Sequence, residues 1–235
     1  MSSKQSIYWV FRLSIVITLM TTVAPSRADE LTPYFGLSLG TALYVGDTRS
    51  GFDSRIQTDA QPLSLSVLAS SVTHSSAGPI YGATIGVHFT RYLAFEAGYS
   101  DLGTVHYRGT GVLSDGLGDS APARMTFDEH MQSYTLSLLG VCPLSPRLSL
   151  QGKLGFSMLG QRFVGQIESD GQTLSENWGV DLNKGVIGLA ARFRVTGAWY
   201  ARLGATAWPA SLDAYQHNHT VMSLNLDALY DVDGI

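Results

Sequence analysis

Followed position by position, the hydrophobic and polar residues of this chain fall into stretches of strict alternation. The cleanest covers residues 91–103. Leu93, Phe95, Ala97 and Tyr99 share one face, and Ala94, Glu96, Gly98 and Ser100 share the other. A period of two is the period of a strand. Glu96 is the one charge on a face of very small residues, where a half-buried soluble strand would carry Thr, Lys and Glu. Such crowding around a carboxylate fits the interior of a narrow barrel, although the run alone also fits a strand of a soluble sandwich.

Seven further stretches alternate in the same way: residues 33–44, 80–89, 131–141, 147–160, 185–195, 199–208 and 220–230. Their lengths are near the ~9–11 residues that a tilted strand needs to cross a bilayer. Three connections are tight, at Arg91, at Pro143-Leu144-Ser145-Pro146 and at Thr196-Gly197-Ala198. Four are long and polar: residues 45–79, 104–130, 161–184 and 209–219. Short and long links alternate without exception. A sandwich has no reason to gather its long loops at one end, whereas an outer-membrane barrel keeps short turns in the periplasm and long loops outside. The pattern therefore predicts an all-β fold: an eight-stranded antiparallel transmembrane up-and-down barrel with short periplasmic turns and long extracellular loops. Residues 63–72 also alternate. They are expected to extend the barrel above the membrane as part of a hairpin, because a ninth strand would put the two termini on opposite sides.

The N-terminus has the form of an export signal. Lys4 and Arg12 precede or interrupt an apolar run over residues 13–24, and Ser26-Arg27-Ala28 offers small residues for cleavage. The expected division is a signal peptide over residues 1–28 and a barrel domain over 29–235. Composition agrees with strands that face lipid: charged residues are 14% and Gly is 25 of 235, against about 25% and about 7% in ordinary soluble domains. A net charge of −4 with no Lys/Arg run leaves no basic surface for nucleic acid. Cys142 is the single cysteine, so no intramolecular disulfide forms, and a small apolar role suits it better than a catalytic thiol.

The phasing of the strands points Glu96 and Asp227 into the lumen together with Lys153, Arg192 and Arg202, and puts Arg194 near the periplasmic mouth. Unpaired charges in so small a space cost several kcal/mol each, so these groups are expected to pair. The resulting network is either a gated ion path or a charged plug, and the narrow interior favours the plug. Aromatic residues mark the strand ends. Tyr92, Trp199, Tyr230 and Phe89 are expected at the periplasmic interface, and Tyr44, Tyr81, Phe163 and Trp208 at the outer one. A catalytic reading has little to stand on. His74-Ser75-Ser76 is the only His/Ser adjacency, it lies in a polar loop, and His217-Asn218-His219 is a pair of loop histidines. No catalytic residue, metal or cofactor is therefore expected.

The glycine-rich opening Tyr34-Phe35-Gly36-Leu37-Ser38-Leu39-Gly40, the stretch Phe95-Glu96-Ala97-Gly98-Tyr99-Ser100-Asp101-Leu102-Gly103, Lys153-Leu154-Gly155, Arg202-Leu203 and the ending over residues 224–230 resemble the OmpA-like transmembrane barrels and the related opacity-type surface antigens. The resemblance implies a lumen carboxylate on the third strand paired with a base on a later one. Glu96 falls on the first position, and Arg202, less directly Lys153, on the second. A basic residue of the family on the fourth strand is replaced by Ser137 or Leu138. Because the chain ends at Ile235, the periplasmic peptidoglycan-binding domain of full-length members is expected to be absent. The resemblance further implies residence in the Gram-negative outer membrane, with outer-membrane lipid and lipopolysaccharide as surroundings. It implies the barrel insertion machinery as a partner, reading the last strand near Tyr230, and host or surface ligands met through the extracellular loops. The role it implies is structural or surface-interacting; a small gated pore and a lipid-modifying hydrolase are the alternatives.

Overall fold

Alternating strands leave backbone donors and acceptors along every edge, and in lipid each of these must find a partner within the protein. A ring of strands that closes on itself satisfies all of them. The computed structural model describes residues 31–45, 66–74, 77–114, 120–208 and 220–232, and there its regular structure is entirely β. The strands are β1 (Thr32–Val45), β2 (Ser66–His74), β3 (Ala77–Thr90), β4 (Leu93–Ser114), β5 (Ser120–Pro143), β6 (Leu148–Ser169), β7 (Gln172–Thr196), β8 (Trp199–Trp208) and β9 (Thr220–Asp231). Residues 1–30, which include the expected signal peptide, lie outside the described residues.

Eight of the strands form the ring. The order β4-β3-β1-β9-β8-β7-β6-β5 is antiparallel throughout, and β5 pairs back onto β4. The ninth, β2, is no additional stave. It lies on the same edge of β4 as β3 and continues the same ladder upward, with His74 opposite Tyr107 and Tyr81 opposite Asp101. This is the extension expected from the alternation near residues 63–72, of which 63–65 lie outside the described residues. With an even ring the two ends of the described chain meet: Val232 N–H donates to Pro33 C=O at 2.9 Å.

The two faces of the ring are inverted relative to a soluble protein. Leu37, Ile85, Leu154, Leu203 and Leu226 point outward and exposed, with Phe156 80% and Leu189 74% exposed, whereas Glu96 and Asp227 are each only 1% exposed inside. Lipid is the solvent that makes this arrangement stable.

The strands outrun the expected lengths. β4 to β7 hold 22 to 25 residues each. Residues 104–130 and 161–184, expected as long loops, are instead a tall wall of paired strand, apart from 115–119, which lie outside the described residues. The cause is a bulge. Register slips between Asp101 and Gly103 in the ladder with β5, and Gly103 has φ +82°, a conformation that costs a Cβ-bearing residue energy. Below it Ala94, Glu96 and Leu102 point inward; above it Val105 and Tyr107 do. The inward parity of β4 changes from even to odd at one residue, and the alternation in the sequence breaks there. Above the slip the wall also exchanges its chemistry: Val105, Met125 and Met131 are buried, while His106, Arg108, Arg124 and Arg162 face water. At its top, β6 and β7 join through Asp170 and Gly171, at φ 48° and 73°. Two left-handed residues make the tight hairpin turn whose twist matches the strands.

Candidate functional site

The lumen carries the chemistry, and its floor to ceiling can be built strand by strand. Inward positions of β4, β6, β8 and β9 supply Glu96, Lys153, Arg202 and Asp227. Arg202 and Asp227 are cross-strand neighbours, whereas Glu96 reaches its partners across the bore. Lys153 Nζ lies 2.6 Å from Glu96 Oε1, and Arg202 Nη1 lies 2.6 Å from Glu96 Oε2. Arg202 Nε also donates to Asp227 Oδ2. Tyr34 O–H donates to Glu96 Oε2 at 3.0 Å, and Asn225 Nδ2 donates to Asp227 Oδ1 at 2.6 Å. Two carboxylates meet two cations, so the cluster is neutral; Glu96, Arg202 and Asp227 each make two or more of these bonds and Lys153 makes one. Those are the conditions under which buried ions are tolerated.

Arg192 stands apart from this quartet. Although it lies opposite Arg202 in the ladder, its guanidinium turns toward the short-turn end. There Nη2 lies 2.5 Å from Asp231 Oδ1, Nη1 donates to His88 Nε2 at 2.9 Å, and the carbon rests 3.7 Å from the centroid of the Tyr200 ring. The single lumen network expected from the sequence is thus two clusters. Asp231, His88 and Tyr34 were missed. Asp231 was legible, since the inward series Asp227, Leu229, Asp231 continues its period into what reads as a tail.

Above the quartet the bore becomes largely apolar, with Ser133, Ser157, Gln161 and Lys184 also buried at inward positions. Ala42, Tyr44, Ile80, Leu102, Val105, Met131, Leu159, Val186, Trp208 and Val221 form one buried cluster. Its polar atoms are satisfied: Tyr44 O–H donates to Leu102 C=O at 2.6 Å, and Trp208 Nε1–H donates to Ser133 Oγ at 3.2 Å. Higher still, Tyr107 O–H donates to Glu129 Oε2 at 3.2 Å. Burial, and then the neighbouring Glu129 carboxylate, push the Tyr107 phenol above its ordinary value. Beside Lys153 and Arg202 a cavity of about 20 Å³ remains, room for about one water.

The aromatic girdle expected at the outer interface needs correction at three of its four residues. Tyr92 and Trp199 face outward at the short-turn end, and Tyr230 packs edge-on against Trp199 with centroids 5.1 Å apart. Trp208, expected at the outer interface, is 3% exposed and belongs to the apolar plug, as does Tyr44. Both lie on the inward parity of short strands that end at the level of the plug. Phe163 likewise turns inward and stacks on Trp178 at 4.0 Å. The outward aromatics at that level are Tyr81 and the pair Tyr99–Tyr134. The catalytic and metal alternatives, His74-Ser75-Ser76 and His217-Asn218-His219, involve residues or side chains outside the described ones.

A family model of the outer membrane protein beta-barrel domain matches residues 13–226. Among solved structures, the attachment invasion locus protein Ail of Yersinia pestis is 13% identical, with a TM-score of 0.39, covering 85% of this chain and 98% of that one. The N-terminal β-barrel domain of Pseudomonas aeruginosa OprF is 12% identical at a TM-score of 0.39, covering 84% and 97%. The outer membrane protease OmpT of Escherichia coli is 9% identical at a TM-score of 0.43, covering 90% and 100%. No curated protein matches.

Proposed function

Since this chain belongs to the outer membrane protein beta-barrel domain family, we propose that it serves as a non-catalytic, non-conducting scaffold that holds a tall external wall and its loops at the surface of a Gram-negative cell. Its residues 1–28 export it, and the insertion machinery receives it through its last strand. The observation that carries this reading is the filling of the bore. A neutral quartet of ions lies beneath an apolar plug, and the cavity between the strands there is about 20 Å³. Ions would have to break the quartet and then pass the closely packed, largely apolar cluster above it, and a constriction of that kind opposes permeation. A surface role uses what remains exposed, the outward polar face of β4 to β7 and the segments between strands, where binding residues are commonly found on rigid scaffolds.

The test is conductance across a planar bilayer of the purified full chain and of Glu96→Ala. Silence in both is expected; discrete openings in the native chain, lost or altered in the variant, would replace the scaffold with a gated pore. Proteolysis of intact cells provides the topology: cleavage at the tall end and none at the turns near Arg91, Ser145 and Gly197 is expected.

A further inference from the structure

The short-turn end of the lumen is closed by a link that runs across the bore. Arg192 Nη1 donates to His88 Nε2 at 2.9 Å, and the order β3-β1-β9-β8-β7 puts their strands four staves apart in the ring of eight. The two residues therefore meet from opposite walls. On its own side Arg192 is held twice more: Nη2 lies 2.5 Å from Asp231 Oδ1 of β9, and the guanidinium rests on the Tyr200 ring of β8. His88 has the Tyr34 ring of β1 beside it, with centroids 5.0 Å apart. Just inside, Tyr34, Ala94, Leu139 and Leu229 form a buried layer on the short-turn side of the quartet.

The link fixes the state of the imidazole. A guanidinium carries donors only, so Nε2 must offer its lone pair, and His88 is neutral with its proton on Nδ1. Among the described residues the charges nearby are already balanced. Asp231 cancels Arg192, and the quartet of Glu96, Asp227, Lys153 and Arg202 is neutral. Arg194 is engaged at the turn, where Nε donates to Gly197 C=O at 3.0 Å. A proton on His88 is thus a surplus charge in the lower lumen. It also removes the acceptor and sets two cations in contact. The contacts of Arg192 with Asp231 and Tyr200 do not depend on that proton, so the link across the bore is the one that fails.

We propose that His88 and Arg192 form a proton-operated latch across the short-turn mouth, shut while the imidazole is neutral and released when it is protonated. The proposal rests on the reading that this end faces the periplasm, whose pH then sets the state of the latch. Release admits water as far as the quartet, while the cluster above still closes the bore. The scaffold thereby gains a vestibule that opens on the periplasmic side alone.

The experiment reads water access at Ala94, which is fully buried in the layer behind the latch. Ala94→Cys is placed in a Cys142→Ser chain, refolded in detergent micelles, checked by heat-modifiable migration and labelled with a charged methanethiosulfonate. Its rate is divided by that of the exposed Cys142 in the native chain, which removes the pH dependence of the thiol reaction itself. Lowering the pH from about 8 to about 4 spans the ordinary histidine titration. The ratio should rise about tenfold or more, as a minor open state becomes the major one. His88→Gln keeps an acceptor but gains no proton, so with it the ratio should stay low and flat. A flat ratio in the chain that retains His88 would overturn the latch. An equal rise with His88→Gln would assign the opening to carboxylates and overturn it as well. Nitrogen NMR of the imidazole reads the link directly: Nε2 without a proton at neutral pH is expected, and a proton there would sink the proposal. Bilayer conductance at both pH values keeps the two readings apart, because acid-induced openings would overturn the closed bore and not the latch.

Discussion

Glu96→Gln keeps the size of the side chain and removes only its charge, which makes it the cleanest perturbation of the lumen. The native quartet is neutral; the variant leaves Lys153 and Arg202 facing Asp227 alone, with a surplus positive charge in a bore where Arg202 is 6% and Lys153 20% exposed. Removing one partner of a buried pair costs about 3–5 kcal/mol. Arg202 retains its contact with Asp227, and the Lys153 ammonium has partial access to water, so the lower end, about 3 kcal/mol, is expected. Lys153→Met in the same chain removes the surplus charge and should return at least about 1 kcal/mol of that loss, as coupled neighbours do. The measurement is urea unfolding of the chain in phosphatidylcholine vesicles, with the folded fraction read from heat-modifiable electrophoretic mobility. A single variant within about 0.5 kcal/mol of the native chain, a change typical of inconsequential surface sites, would refute the reasoning. So would a double variant no more stable than the single one.

Three other outcomes follow from the placement of particular residues. In single-tryptophan chains, brominated lipid should quench Trp199, which faces the bilayer, and leave Trp208 in the plug unquenched; equal quenching would put Trp208 back at the interface. Gly103→Ala forces a Cβ onto a left-handed backbone 2.7 Å from the Pro79 carbonyl oxygen and should cost about 1–3 kcal/mol in the same urea assay; an unchanged midpoint would mean that the bulge is not fixed there. Leu189→Arg on the lipid-facing belt should cost about 2–4 kcal/mol, whereas Val164→Arg, outward on the wall above the belt, should stay within about 0.5 kcal/mol. Equal costs at the two sites would misplace the membrane boundary.

The transmembrane part of this fold was legible because lipid imposes a simple code: one apolar face, one polar face and a fixed length. All eight staves and the inward phase of Glu96, Lys153, Arg202 and Asp227 follow from that code. Legibility fails where the code changes. At Gly103 one extra residue reverses the parity, and above it apolar residues move to the inside, so Val105, Tyr107 and Met131 look aperiodic when read against the strand below. Asp170-Gly171 was an available hairpin signal in the segment read as a loop, and its flanks carry the polar outward residues that disguise a strand in water. Trp208 and Tyr44 deceived for a different reason: an aromatic at a strand end reads as a girdle residue unless its parity is checked against its neighbours. The pairing of Arg192 with Asp231 depends on side-chain direction within one bore, which alternation alone does not encode.

The closure of the ring has an upper limit. Among the described residues, β2 pairs only with β4, and residues 172–186 of β7 pair only with β6. Among the described residues, the strands above the belt form a five-stranded sheet, β2-β4-β5-β6-β7, with β2 and β7 at its margins. A margin of unpaired peptide groups is a template for any passing extended chain. Here the β7 margin carries Thr173, Ser175, Glu176 and Asn177 around a single exposed Leu174, a mostly polar run that makes such templating less sticky. The molecule thus solves the edge problem twice, by closure where there is no water to help and by composition where there is.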